Sequence, residues 1–428
     1  MQNILTRPEH WYSFLLKTQL NGKNLMKAVN TFCVPLLTYS FGVIKWSKTD
    51  LENLNIATRK IFTQYRRHHP KSSIERFSLP RQNGGRGFQN LENLYQRQIS
   101  DLKKYFLKRA ERNEMFRTIT RADLNHTPLN LSNTEEIHTP HTIDKIISGL
   151  KQKQLHGKFY KDLEENHVNK KMSLIWLKKS SLYAETEGFV FAIQDQVINT
   201  KNYKKYIIKD PNIKNDCCRL CKAKPETIQH IISSCSILAQ TDYKARHDNA
   251  AKIIHKELAT LMNLIEDTTP YYTYIPSPFL ENNKYKLYWD RTILTDLNIT
   301  ANRPDIILIK KHTNEAILID IAIPNTNNII QTYDTKISKY LQLSIEMKSM
   351  LNLKKISILP LVISNVGVVP NSLVENLKSL HLNDSIIVKI QKAVLLGTCH
   401  IVRKFLEQSD HVSQIRLAPV GQSSVGHF

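Results

Sequence analysis

NRPDIILIKKHTNEAILIDIAIPN, residues 302–325, reads as two apolar strands joined by a polar turn. Asp305 stands at the mouth of the first strand and Asp320 inside the second. A carboxylate is disfavoured inside a strand, because burying a charge costs free energy unless something pairs with it. Pro304 fixes an extended entry to the first strand. The turn KHTNE lets DIILI and AILIDIAI pair antiparallel, which can bring the two carboxylates together across the fourteen residues between them. Two hard oxygen ligands that close favour Mg²⁺ or Mn²⁺. Such an ion lowers the pKa of a bound water and polarises a phosphodiester. Phosphodiester cleavage also wants a cation where negative charge develops. A helix expected from about Tyr333 to Met350 offers Lys336 and Lys339 on one face, with Tyr340 adjacent. From spacing alone, ordinary strand-end aspartates are the competing reading, and the apolar run ILIDIAIP around Asp320 argues against it.

The chain has 428 residues, length for two to four domains, and a hydrophobic content of 41% supplies real cores. It contains no uninterrupted apolar run of about eighteen residues, so no membrane span is expected. MQNILTRPEHW at the start has neither signal-peptide nor transit-peptide character. Lys and Arg exceed Asp and Glu by 60 to 38, a net charge of +22 spread along the whole chain. A basic excess of that kind favours an extended anionic partner, most often nucleic acid. A basic membrane-surface protein or a merely lysine-rich solvated face is the alternative.

The expected fold class is α+β with several domains: a helical N-terminal half, a small zinc knuckle and a C-terminal α/β core. Residues 1–115 read as mostly helical, with an apolar helix over 23–46 around a Pro35 kink, a helix over 49–65 capped by Thr49, and an amphipathic helix over 91–110. LPRQNGGRGF (79–88) is a glycine-rich turn. Residues 116–175 read as a polar linker and 176–265 as a basic linker with a cysteine cluster. The α/β core occupies 270–382, and 383–428 forms a last helix and tail.

The cysteine cluster has the spacing Cys218-x2-Cys221-x8-His230-x4-Cys235. Three thiolates and one imidazole suit tetrahedral zinc, and a two-residue gap lets both sulfurs of the first pair face one ion. Cys217 is an alternative to Cys218, and His247 and His255 are possible competing ligands. The flanks are basic, with Lys204, Lys205, Arg219, Lys222 and Arg246 near the cluster and Arg303 beside Asp305. A nucleic-acid-binding module is the functional reading and a structural staple the plainer one.

RPD-x14-D followed by K-x2-KY resembles the restriction-like endonuclease of site-specific non-LTR retrotransposons, a branch of the PD-(D/E)xK nuclease superfamily. The knuckle placed just before it matches the same polyprotein. So do TEGFVFAIQDQV (186–197), ISNVGVVPNSL (363–373) and QKAVLLGTCHIVRKFL (391–406), in collinear order. LLTYSFGVIKWSKTDL (36–51) and LPRQNGGRG (79–87) are similar to the end of the reverse transcriptase and its thumb. The resemblance implies that Asp305 and Asp320 hold Mg²⁺ or Mn²⁺, that Lys336 and Lys339 stabilise the phosphate or nucleophile, and that Cys218, Cys221, His230 and Cys235 hold structural Zn²⁺. It implies duplex target DNA and element RNA as partners, and a nuclear site of action. No YxDD-type polymerase motif is present, so no polymerase activity is expected. Ala322 stands where many of these nucleases carry lysine, which in this branch comes from the following helix. A non-catalytic nucleic-acid binder, or an inert remnant, is the alternative.

Overall fold

A computed structural model of the chain describes residues 12–133, 142–266 and 268–415. The opening MQNILTRPEHW, residues 134–141 of the polar stretch, and the C-terminal tail lie outside the described residues. The protein is α+β and divides into two compact units, Met1–Ile198 with Val368–Asn371, and Asn199–Gly367 with Ser372–Phe428. Residues 176–198, expected with the cysteine cluster, therefore belong to the first unit.

The first unit is built on α1 (Gly22–Ala28), α2 (Lys48–Gln64), α3 (Leu91–Ala110) and α4 (Ala184–Gln194), among shorter helices. The helix expected over 23–46 is interrupted. A π-turn, Val29–Cys33, separates α1 from the short helix Val34–Thr38. Pro35 has no N–H and its ring crowds the preceding turn, so the widened turn accommodates it. Ser47 rather than Thr49 caps α2, accepting from the Asp50 amide at 3.1 Å while Asp50 answers the Ser47 backbone. Leu25, Val29, Leu37, Phe41, Phe62 and Phe77 are among the residues of its apolar core. Phe32, Leu36, Tyr39 and Val43 form an outward stripe at helical spacing, and Tyr39 is 91% exposed. The segment expected as a linker, 116–175, carries helices Ile143–Gln152 and Lys158–Asp162, with Phe159 and Tyr160 buried.

Buried charge organises the same unit. Arg76 pairs with Asp195 at 2.7 Å and with Gln194 Oε1 at 2.7 Å, and its guanidinium lies 4.1 Å from the Phe191 ring centroid. Arg81 and Arg86 both meet Glu187 of α4. The glycine-rich turn thus docks on the helix of the TEGFVFAIQDQV stretch. Gly84 has φ +85°, and a Cβ on Gly85 would lie 2.0 Å from the Leu79 carbonyl oxygen, so no larger residue fits.

The second unit holds a mixed sheet of five strands in sequence order: β1 (Phe279–Glu281), β2 (Tyr285–Trp289), β3 (Ile306–Lys310), β4 (Glu315–Ala322) and β5 (Lys355–Val362). The first four are antiparallel and β5 runs parallel to β4. Its helices include α5 (Ile228–Ser233), α6 (Lys244–Leu261), α7 (Ile329–Met350) and α8 (Ser385–Ile415). The hairpin expected around KHTNE is β3–β4, turning at Asn314 with φ 53°. A parallel partner needs a crossover, and α7 supplies it between β4 and β5. Tyr340, Leu343 and Met347 line one stripe of α7 and pack with Ile307 and Leu318 on one sheet face. On another face of the unit α6 runs beside α8. A Cβ on Gly397 would come within 2.6 Å of Arg246 Cγ, so the glycine sets how closely the two helices approach. Ser385–Glu407 of α8 is long and apolar enough to cross a membrane by length and composition, although lysines interrupt it. Of its most apolar window 61% is buried inside the protein, as in a core helix.

Candidate metal centres

The four expected zinc ligands come together. Donor atoms of Cys218, Cys221, His230 and Cys235 all lie within 4.8 Å of one another, the only such His/Cys/Asp/Glu group among the described residues. Cys218 Sγ is 4.0 Å from Cys235 Sγ, and Cys221 Sγ is 3.3 Å from His230 Nε2. Tetrahedral Zn²⁺ with ordinary bond lengths asks for separations of roughly 3.5–3.8 Å, so the donor set fits. Cys217 is exposed and bridges to Pro225, which leaves Cys218 as the ligand.

Local chemistry explains how the knuckle closes. Lys222 takes φ 57°, and its amide donates to the Cys218 carbonyl at 2.9 Å, tightening the two-residue gap. Thr227 caps α5, which carries His230. The Tyr243 hydroxyl accepts from the Cys235 amide at 3.0 Å and approaches the Ile231 carbonyl at 2.7 Å, pinning the far side. Burial pushes the Cys218 thiol up to about 11. Burial works the same way on Cys221, but the Ala223 and Lys224 amides outweigh it and lower its pKa. Burial, then the Lys224 charge, lower His230 and keep its imidazole neutral at neutral pH, as a ligand requires.

Glu226, fully buried, gathers this loop. It accepts from the Lys201 amide at 2.8 Å, the Arg219 amide at 3.0 Å and Arg219 Nη2 at 2.6 Å. The Arg219 guanidinium also lies 4.7 Å from the Phe405 ring centroid. Arg246 is buried on α6, donating to Thr398 Oγ1 at 2.9 Å. Both were expected to face nucleic acid; both are turned inward as structural cations. Lys222 is exposed, and Lys204 and Lys205 are half-buried beside exposed Tyr206. Arg303 is exposed and clasps Asp290 through two bonds of 2.7 and 2.6 Å.

The two aspartates lie at the end of the β3–β4 hairpin. The last registered pair is Ile306 with Ile319, and Asp305 and Asp320 are the next residues outward on either strand. The Ile321 amide donates to Asp305 Oδ2 at 2.6 Å. Asp320, 2% exposed, receives the Tyr340 hydroxyl on Oδ1 at 2.6 Å and the Lys336 ammonium on Oδ2. Of the two lysines expected at the acid pair, Lys336 is therefore the one that reaches a carboxylate. Lys339 is exposed and donates to the Tyr340 hydroxyl at 2.8 Å, one bond removed from the carboxylate.

One contact of the acid pair was not anticipated. His247 of α6 places Nε2 3.1 Å from Asp305 Oδ2 and 3.2 Å from the Ile321 carbonyl oxygen, while Nδ1 lies 3.0 Å from Asp248 Oδ1. Burial pulls the imidazole pKa down, but the Asp248 and Asp305 carboxylates outweigh it and hold it at about 10. Burial also penalises the Asp305 carboxylate, yet His247, the Ile321 amide and the Lys336 charge keep its pKa below the usual value. A cleft of about 300 Å³ opens here, lined by Lys244, His247, Asp248, Asp290, Arg303 and Asp305, with Trp289 at its wall. His255, the other histidine weighed as a ligand, is buried against Tyr274 and Trp289 with Nδ1 2.9 Å from the Tyr274 hydroxyl, and is not one of the four clustered donors.

Comparison with protein-family models gives no match, and comparison with curated proteins gives none either.

Proposed function

We propose that the chain is a divalent-metal-dependent DNA endonuclease, derived from a site-specific non-LTR retrotransposon, with a zinc-held knuckle that binds nucleic acid. One observation carries the reading. Asp305 and Asp320 stand side by side at the end of an antiparallel hairpin, with Lys336 against Asp320. Asp305 and Asp320 are the residues that would hold Mg²⁺ or Mn²⁺, and the ion when bound would activate water and polarise the phosphodiester. Tyr340 and Lys336 fix the Asp320 carboxylate from α7, and Lys336 brings positive charge to where a phosphate would lie. Arg303 and Lys244 line the cleft and suit a phosphodiester backbone. The net charge of +22 agrees with a long polyanionic ligand.

Nicking of supercoiled plasmid in Mg²⁺ or Mn²⁺ tests the assignment. Wild type is expected to convert it to open circle and Asp320→Ala to fail; equal cleavage by both sinks the idea. A non-catalytic nucleic-acid binder is the second reading. It is favoured by the internal pairing of both acids, Asp305 with His247 and Asp320 with Lys336. Its mark is retained DNA affinity with a steep salt dependence and no metal-dependent cutting.

A further inference from the structure

We propose that His247 is a ligand of the divalent cation, completing with Asp305 and the Ile321 carbonyl a site that takes Mn²⁺ in preference to Mg²⁺. The inference rests on the metal-dependent reading of the acid pair and adds a nitrogen donor to it. Neighbouring ligand atoms of an octahedral ion with bonds of about 2.1 Å stand about 3 Å apart. His247 Nε2 meets that spacing twice, at 3.1 Å from Asp305 Oδ2 and 3.2 Å from the Ile321 oxygen. The second ring nitrogen supplies an independent argument. Nδ1 faces Asp248 Oδ1 at 3.0 Å, the carboxylate–imidazole pairing that orients a metal-bound histidine, and an ion bound here would displace the Nε2 proton that now bridges to Asp305 and the Ile321 carbonyl. The cleft beside these atoms leaves room for water and a phosphate oxygen in the remaining positions. Imidazole suits first-row transition metals better than Mg²⁺, hence the preference for Mn²⁺.

The test uses the full chain, loaded with Zn²⁺ first and then given Mn²⁺. Pulsed electron paramagnetic resonance of the bound Mn²⁺ is expected to show a ¹⁴N coupling from one imidazole. His247→Gln is expected to lose that coupling and to raise the Mn²⁺ Kd at least about tenfold. Asp248→Asn leaves the imidazole in place, so it is expected to keep the coupling while weakening Mn²⁺ by about tenfold. Bound Mn²⁺ without nitrogen coupling, or a coupling that persists in His247→Gln, overturns the role of His247 and leaves the nuclease reading standing. Failure of wild type to bind Mn²⁺ beyond the zinc site overturns both.

Discussion

The Tyr340 hydroxyl donates to Asp320 Oδ1 at 2.6 Å, from a helix that reaches the sheet only after the chain has left β4. Tyr340→Phe keeps the ring in its apolar stripe and removes this hydroxyl, together with the acceptor it offers exposed Lys339. The carboxylate is buried, so the loss is expected to destabilise the protein by about 1–3 kcal/mol. Urea unfolding of the variant against wild type measures it, and an unchanged midpoint would contradict the role given to the hydroxyl.

The pair Arg76–Asp195 makes a stronger demand, because both side chains are buried. Asp195→Ala leaves the guanidinium uncompensated among Phe159, Phe191 and Tyr160. A cost of about 3–5 kcal/mol is expected. Thermal melts of the two proteins provide the comparison, and a shift of under about 1 kcal/mol would mean that water reaches the cation.

Removing metal from the knuckle is expected to unfold its loop, since so small a module lacks a core of its own. Limited proteolysis after chelation should open new cleavage within residues 217–235, and added Zn²⁺ should close it. Cys235→Ser should behave like the chelated protein even with Zn²⁺ present, whereas Cys217→Ser should resemble wild type because that thiol faces outward. Equal protection of all three proteins would rule out a structural metal.

Acid sensitivity follows from His255. Burial pushes its pKa from 6.5 down to about 4, so the folded state holds the neutral ring. The unfolded state therefore binds more protons between those values. Stability is complete above pH 6.5 and falls as pH drops toward 4, by an amount on the order of 3 kcal/mol. His68 in the first unit, pushed down to about 3 chiefly by burial, acts in the same direction. In urea melts from pH 7.5 to 4.5, His255→Phe is expected to show a shallower slope than wild type; parallel slopes would dismiss this histidine as a source.

Gly397→Ala tests the approach of α6 and α8. The added methyl meets Cβ and Cγ of Arg246, close to its backbone rather than at its flexible end. Overpacking of this kind is expected to cost about 1–3 kcal/mol, read from chemical denaturation. A neutral result would mean that the helices separate without penalty.

Much of the acid hairpin was legible because it is local. Alternating apolar residues and a polar turn placed β3 and β4, and cysteine spacing alone gathered the four knuckle ligands. Strands β1 and β2 were missed because FLE and YKLYW are short and lie beside a proline-bearing loop, although Asn282 and Asn283 between them are turn residues. Lys336 and Lys339 were indistinguishable in sequence, since both lie near one helical face; the register of α7 on the sheet chooses Lys336. Arg219 and Arg246 carry the same formal charge as an exposed lysine, and only Glu226 and Thr398, brought in by the fold, turn them inward. His247 precedes Asp305 by 58 residues, and no periodicity links the two.

Tyr243 pins the knuckle from the end of the π-turn Ala239–Tyr243, and His247 touches Asp305 four residues on, in the first turn of α6. That spacing governs where the chain tolerates a change of length. One residue inserted between them would swing the imidazole about 100° around the helix axis, away from the carboxylate. The exposed turn at 222–225 is fixed in its own way, by the Lys222 amide on the Cys218 carbonyl and the Cys218 amide on the Lys224 carbonyl, so it holds its length as well. Natural variation in length is expected to spare the four-residue step from Tyr243 to His247.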